Sequence, residues 1–244
     1  MKVNGLSFSY GEKVIFKDFY LDAPNGKVTC IMGSSGGGKT TLLNCISGQL
    51  DFEGQILYGQ NGQNDIKQKS ISYVFQQPRL IPSMTVEKNI EYVLPSSMPK
   101  EQRRTRVKEF IEKMQLSDCA GSYPRYISGG QASRASLARA LVFESDILLM
   151  DEPFKGLDIK LKRQILETLT PLIKGKTVVF VTHDIEEALL MADSVYVLDR
   201  VDGAGVKIVG KEDVSQPRED RDIYSDQLNT TRQNIYRLLT DVKK

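Results

Sequence analysis

The stretch Gly33-Ser34-Ser35-Gly36-Gly37-Gly38-Lys39-Thr40 decides the fold. It matches G-x-x-x-x-G-K-[ST] at every specified position, and its neighbours supply the setting that such a loop needs. Residues 27–32 form a short apolar run that reads as a strand, and residues 40–47 have helical character and stop near Gly48. In a strand–loop–helix unit, glycines let the chain bend so that successive N–H groups point at one anion. The helix that follows adds the positive end of its dipole. Lys39 is expected to reach the β- and γ-phosphates of a nucleotide, and the Thr40 hydroxyl to bind Mg²⁺.

Outward from the loop, apolar strands alternate with helices. Strands are expected at 71–75, 147–150, 177–182 and 194–198, and helices at 159–173 and 185–192. Continuous apolar strands of this kind belong to a parallel sheet covered on both faces. Ahead of the loop, residues 3–10 and 14–23 read as two strands joined by the turn Gly11-Glu12-Lys13. The stretch from Pro78 to Leu141 changes texture to helix, broken by Pro82, Pro95, Pro99 and Pro124. The expected fold is therefore α/β: a phosphate-loop core with a parallel sheet, a small N-terminal antiparallel β part, and an inserted helical lobe at about 78–142. The core domain is expected to span 1–210, with 211–244 a polar C-terminal tail ending in a short helix. Ile235, Leu238, Leu239 and Val242 fall on one face of that helix, which fits packing on its own domain or a dimer contact.

Two further strands end in chemistry. Ile147-Leu148-Leu149-Met150 runs into Asp151-Glu152. Ligands gather at the carboxyl edge of such sheets, so Asp151 is placed for a Mg²⁺ shell and Glu152 for polarising an attacking water. The strand at 177–182 leads into His183, the single histidine, which can hydrogen-bond a γ-phosphate or that water.

Composition narrows the class. A net charge of +2 over 244 residues argues against a nucleic-acid partner. The basic run Lys100, Arg103, Arg104, Arg106 and Lys108 reads as a solvated helix face. Cys30, Cys45 and Cys119 are odd in number and lack CxxC spacing, which points to reduced thiols in the cytosol. One histidine makes a zinc site untenable. No apolar run approaches the ~20 residues that cross a bilayer. The start, Met1-Lys2-Val3-Asn4-Gly5, lacks the apolar core of a signal peptide. The expected location is the cytoplasm.

With these residues in view, the chain resembles the ABC ATPase family up to about Gly210. Ser128-Gly129-Gly130-Gln131, after Ile127 and before a helix, looks like the family signature. Taken alone it would be an ordinary glycine-rich helix cap. The resemblance implies a second anion site there, acting on the γ-phosphate of an ATP held by a partner subunit. It also implies ATP and Mg²⁺ as the ligands, with Gly33, Ser34, Ser35, Gly36, Gly37, Gly38, Lys39, Thr40 and Thr41 around the phosphates. Tyr10 sits where the family stacks an aromatic ring on adenine. Gln76 matches a glutamine that touches Mg²⁺ and the attacking water. Lys155-Gly156-Leu157-Asp158 resembles the loop that crosses the dimer interface, and His183 corresponds to the switch histidine.

The chain departs from the family pattern at Ile127, where leucine is usual, at Ala132-Ser133, where a polar or basic pair is common, and at Lys155, where many members carry serine or glycine. Asp151-Glu152-Pro153-Phe154, Gly156-Leu157-Asp158 and Pro78-Arg79-Leu80-Ile81-Pro82-Ser83-Met84-Thr85-Val86 are similar to bacterial importers of the nitrate, sulfonate and taurine type. The implied partners are a second ATP-binding subunit, transmembrane permease subunits that hold the chain at the inner face of the cell membrane, and an extracytoplasmic solute-binding protein. An ABC exporter ATPase, an assembly-scaffold ATPase and a small-molecule kinase are the competing readings. A kinase would have no use for Ser128 to Gln131. Residues 77–127 are too few for the long coiled coil of DNA-repair members, and translation members usually hold two cassettes.

Overall fold

A computed structural model of the chain describes residues 1–59, 64–222 and 225–241. In chain order the elements are β1 (Lys2–Tyr10), β2 (Lys13–Asp22), β3 (Val28–Gly33), α1 (Lys39–Ile46), β4 (Glu53–Tyr58), β5 (Asn64–Asp65), β6 (Ile71–Val74), α2 (Val86–Glu91), α3 (Lys100–Lys113), α4 (Gly129–Val142), β7 (Ile147–Asp151), α5 (Ile159–Leu172), β8 (Thr177–Val181), α6 (Ile185–Met191), β9 (Ser194–Val201), β10 (Gly205–Asp213) and α7 (Asp226–Asp241).

Two sheets form. The smaller has the order β2-β1-β4-β5 with antiparallel pairs. The larger has the order β10-β9-β3-β8-β7-β6, in which only β10 runs antiparallel to its neighbour. The α/β fold with a small antiparallel part and a parallel sheet is the expected one. Strands alternate side chains between faces, and here both faces are buried. On β7, Ile147 and Leu149 join the cluster built with α1, β1 and β2, whereas Leu148 and Met150 face the cluster formed with the helices. On β8, Val179 and Val181 face the first cluster, and Val178 and Phe180 the second. This explains why these strands read as unbroken apolar runs rather than as alternating ones.

Within residues 78–142, α2, α3 and α4 pack on one another through Val86, Ile90, Val107, Phe110, Leu137 and Leu141. Two cations of the basic run are not the solvated face expected of them. Arg103 donates from Nη2 to the carbonyls of Pro95, Ser96 and Met98, and Arg106 donates to Val142 O at 2.8 Å and to Glu144 at 2.8 Å. Both guanidiniums close off unpaired carbonyls at helix ends and turns, a task for which their forked donors are suited.

Three strands were not legible in the sequence: β4, the two-residue β5, and β10. In β4 only Ile56 is buried, so no alternation marks it. β10 exposes Lys211 and Asp213 and has a register shift between Ile208 and Gly210, and it runs across position 210, where the tail was expected to start. Beyond it, α7 returns to the body. Leu228 and Ile235 are buried in the helix-side core, with Leu239 packed against it. Val242 lies outside the described residues. Among the described residues no helix is long and apolar enough to cross a membrane.

Glycine is obligatory at the end of β3. Gly33 has φ 139°, and a Cβ there would lie 2.0 Å from the carbonyl oxygen of Leu198 on β9. Gly121, by contrast, has open space around it. Gly33→Ala should lower stability by about 3 kcal/mol and the thermal midpoint by about 6 °C or more. Gly121→Ala should stay within about 0.5 kcal/mol. Calorimetry on the two variants checks this, and equal midpoints would refute the steric account.

Candidate nucleotide site

The site assembles at the carboxyl edge of the parallel sheet, where β3, β7 and β8 end side by side. Ile31 pairs with Val181, and Val181 pairs with Asp151. The residues that follow these three are therefore neighbours: the glycine loop, Glu152, and Thr182-His183.

The loop from β3 to α1 enters the helix through Gly38, which is left-handed at φ 73°. Its Cα packs against β2 and β10, since a Cβ there would come within 3.0 Å of Phe16 and 3.1 Å of Ile15. That contact ties the β1–β2 hairpin, whose tip carries Tyr10, to the loop. Tyr10 is half exposed and set edge-on to Phe8, with ring centroids 4.8 Å apart. Lys39 folds back over the loop and donates from Nζ to Gly33 O at 3.0 Å and Ser34 O at 2.7 Å. Burial lowers its pKa, an effect opposed by the charges of Glu152 and Asp151. The Ser34 hydroxyl donates to Asp199 at 2.7 Å, so β9 braces the loop from the far side. Gly36 and Gly37 complete the curve of the loop, Ser35 is exposed on it, and Thr41 is buried in the first turn of α1.

Asp151 is buried, and burial raises its pKa, while the Thr40 hydroxyl donates to it at 2.7 Å. A hydroxyl and a carboxylate this close form a hard oxygen pair of the kind Mg²⁺ accepts alongside phosphate oxygens. The described residues contain no cluster of three or more His, Cys, Asp or Glu able to hold a metal.

Glu152 has a left-handed backbone, φ 46°, unusual for a residue with a side chain. Its N–H is held by Val181 O at 2.9 Å. The kink turns the carboxylate out of the strand, where three groups meet it. Gln76 Nε2 donates to Oε2 at 3.2 Å, Lys155 Nζ lies 3.1 Å from Oε2, and His183 Nδ1 lies 3.4 Å from Oε1. Partial burial would raise the pKa of Glu152, but Lys155, then His183 and Gln76, outweigh it and hold the carboxyl below the usual range. The shift favours the ionised carboxylate, the form that can accept a proton.

His183 is held by its neighbours. Asp184 caps α6, accepting from Glu186 N at 2.8 Å, and Lys162 of α5 bridges Asp184 at 2.6 Å and Glu187 at 2.9 Å. Glu187 is buried and also accepts from Thr182 at 2.5 Å. Sequence reasoning missed Lys162, Asp199 and Lys155 as members of this network, because each partner lies in another element or across a turn. It also missed Asn89. This buried side chain accepts from Ile81 N at 2.7 Å and donates to Ile81 O, Met84 O and Thr85 O, while Arg139 donates to Pro78 O and Arg79 O at 3.0 Å each. Together they give the segment after Gln76 one shape.

The remaining site residues lie apart from this edge. Ser128 caps α4 in a reciprocal box: Oγ accepts from Gln131 N at 3.2 Å, and Gln131 Oε1 accepts from Ser128 N at 2.9 Å. Gly129 and Gly130 form the first turn, and a Cβ on Gly130 would lie 3.5 Å from Leu157. Asp158 caps α5, accepting from Leu161 N at 2.9 Å. Among the described residues, no hydrogen bond or ion pair joins Ser128, Gly129, Gly130, Gln131 or Asp158 to the phosphate loop, Asp151 or Glu152.

A family model described as ABC transporter matches residues 16–155. The sulfate/thiosulfate import ATP-binding protein CysA of Synechocystis sp. is 38% identical over 204 residues, covering 80% of this chain and 57% of that protein. The spermidine/putrescine import ATP-binding protein PotA of Haemophilus influenzae is 36% identical over 235 residues, covering 94% of this chain and 60% of that protein. The chain thus spans somewhat over half the length of the curated relatives it matches. A dimeric ATP-binding cassette solved in a post-hydrolysis state with ADP and Pi is similar at 32% identity and TM-score 0.75, over 88% of this chain and 99% of that one.

Lys162→Met should cost about 1–3 kcal/mol, since it leaves buried Glu187 with less compensation. Pairing it with Glu187→Gln should cost less than the two single changes summed, as contacting residues do. Urea denaturation of the four chains measures the coupling, and simple additivity would show that the bridge carries no stability.

Proposed function

As this chain belongs to the ABC transporter family, we propose that it binds and hydrolyses ATP with Mg²⁺ as the motor subunit of a membrane importer. The observation that carries this reading is the separation just described. Lys39, Thr40, Asp151, Glu152, Gln76 and His183 converge on one edge, whereas the Ser128-capped helix offers a second anion site that, among the described residues, shares no hydrogen bond or ion pair with the phosphate loop, Asp151 or Glu152. Two copies arranged head to tail supply each ATP with both halves: the loop Gly33 to Thr41, with Tyr10 stacking on adenine, from one copy, and Ser128, Gly129, Gly130 and Gln131 from the other. The solved dimeric relatives support this arrangement. Asp158, which follows the Gly156-Leu157 turn that lies against Gly130 in this chain, belongs to the surface between copies.

Thr40 and Asp151, with Gln76 beside them, would hold Mg²⁺. Bound there, the ion would supply positive charge against the phosphate oxygens. The chain's own residues do the rest. Loop N–H groups, the end of α1 and Lys39 bind the phosphates, and His183 faces the γ-phosphate. Glu152 takes a proton from water as the water oxygen bonds to the γ-phosphorus and the bond to the bridging oxygen breaks, leaving ADP and phosphate. Loss of phosphate removes the anion shared by both copies and lets them part.

The names of the similar proteins, importers of sulfate, iron and polyamines, support import over export. The sequence likeness at 151–158 and 78–86 supports the nitrate, sulfonate and taurine subtype. The segment wired by Asn89 and Arg139 is the surface for a transmembrane permease, which holds the chain at the inner face of the membrane. An extracytoplasmic solute-binding protein completes the set, and these other subunits choose the solute. Nucleic acid is not among the proposed partners, a reading supported by Arg103 and Arg106 serving as internal clamps.

Glu152→Gln should bind ATP yet hydrolyse it at least about 100-fold more slowly, and should accumulate as an ATP-bound dimer in size-exclusion chromatography. Retained turnover would remove Glu152 from the role of base. Lys39→Ala should lose most ATP affinity by fluorescent-nucleotide titration. Mixing inactive Lys39→Ala with inactive Ser128→Arg should restore activity, because hybrid dimers gather both lesions in one site and leave the other whole. Mixtures as inactive as their parts would argue against shared sites. Co-purification with a polytopic membrane protein separates the transporter from an assembly scaffold.

A further inference from the structure

The crossing loop carries a lysine whose contact the functional reading above leaves unused. Pro153 and Phe154 are buried, which roots the turn in the core. Lys155 N–H donates to Glu152 O at 3.2 Å, so the turn closes on itself. From that rooted turn the half-exposed Lys155 side chain reaches back to Glu152 Oε2 at 3.1 Å. Gln76 Nε2 occupies the same oxygen at 3.2 Å, from the segment after β6. His183 Nδ1 stands 3.4 Å from Oε1, from the loop after β8. Lys39 and Asp151 lie near enough to feel the charge of Glu152, without a hydrogen bond or ion pair to it.

A carboxylate offers about four acceptor sites, two on each oxygen. Gln76 donates to Oε2, the Lys155 ammonium lies 3.1 Å from the same oxygen, and His183 Nδ1 stands 3.4 Å from Oε1. Among the described residues Oε1 accepts no hydrogen bond, so it is the oxygen left open to water. The terminal torsion of a glutamate is broad and roughly two-fold, so one donor on Oε2 does not pin the carboxylate plane. Two donors from different segments do.

We propose that Lys155 is a positioning residue, which with Gln76 anchors Oε2 of Glu152 and so presents Oε1 to the attacking water. This rests on Glu152 acting as the base in ATP hydrolysis. Because Lys155 projects from the loop between Glu152 and the Asp158 cap, its grip on the carboxylate follows the placement of that loop. Water activation is thereby tied to the surface that a second copy meets. A serine or glycine at this position cannot reach Oε2, so this chain carries an anchor of its own.

Steady-state ATP hydrolysis by purified Lys155→Ala, Lys155→Arg, Glu152→Gln and wild-type chains tests the proposal. Lys155→Ala should lower kcat about tenfold through lost orientation, with KM for ATP within about twofold of wild type. Lys155→Arg should recover most of kcat, since it too can donate to Oε2. An unchanged or raised kcat in Lys155→Ala, an effect on KM alone, or an Arg variant as slow as the Ala variant would each overturn it. Crystal structures of the wild-type and Lys155→Ala chains give a readout free of activity. The Glu152 carboxylate should keep the Gln76–Lys155 anchor in the former and turn or spread over two orientations in the latter. An identical, single orientation in both defeats the positioning role. A wild type that hydrolyses no ATP counts against the ATPase reading, and leaves the crystallographic comparison to decide the placement of Glu152.

Discussion

The register of three parallel strands holds the site together. With Ile31 opposite Val181 and Val181 opposite Asp151, the strands β3, β8 and β7 end in one row, and the next residue of each leaves the sheet into the same volume. A shift of one residue in any pair would turn that strand's side chains to the opposite face. Such a shift is strongly resisted here. Val178, Val179, Phe180 and Val181 are all essentially inaccessible, as are Leu148, Leu149 and Met150, so a slipped strand would mismatch packing on both faces at once.

Upon that rigid edge sits a set of polar contacts that aim rather than hold. Glu152 is turned out by a left-handed backbone and gripped from three segments. His183 stands on a loop fastened by Asp184, Lys162 and Glu187, and Lys39 lies across its own loop. The charged groups are mostly paired where they are buried, as the low local dielectric requires. The exposed groups, Lys155 and His183 among them, sit where a ligand or a second copy can reach them. Stability thus belongs to the apolar layers. Reactivity belongs to a thin polar layer whose geometry those layers impose.

Much of this was legible before any coordinates. The glycine loop is recognisable because each of its residues answers a local demand: a bend that only glycine tolerates, an anion-facing N–H, a cation and a hydroxyl at set spacing. The central strands are recognisable because burial on both faces leaves no room for polar side chains. β4 and β10 were hidden for the opposite reason, since both pair antiparallel, are only partly covered and carry no period to detect. The roles of Arg103 and Arg106 were hidden too, because a run of cations looks the same whether it meets water or unpaired carbonyls.

The sequence by itself determined the phosphate loop, the acids that end β7, the histidine that ends β8 and the serine cap of α4, all of them local patterns along the chain. Only the tertiary structure decided which of these meet. It brought Gln76, Glu152, Lys155 and His183 to one carboxylate, linked Thr40 to Asp151 and Ser34 to Asp199, and left Ser128 and Asp158 outside that group. The reason is that strand order and register, not sequence separation, set the distance between residues over a hundred positions apart. That order follows from how all the apolar faces pack together rather than from any one segment.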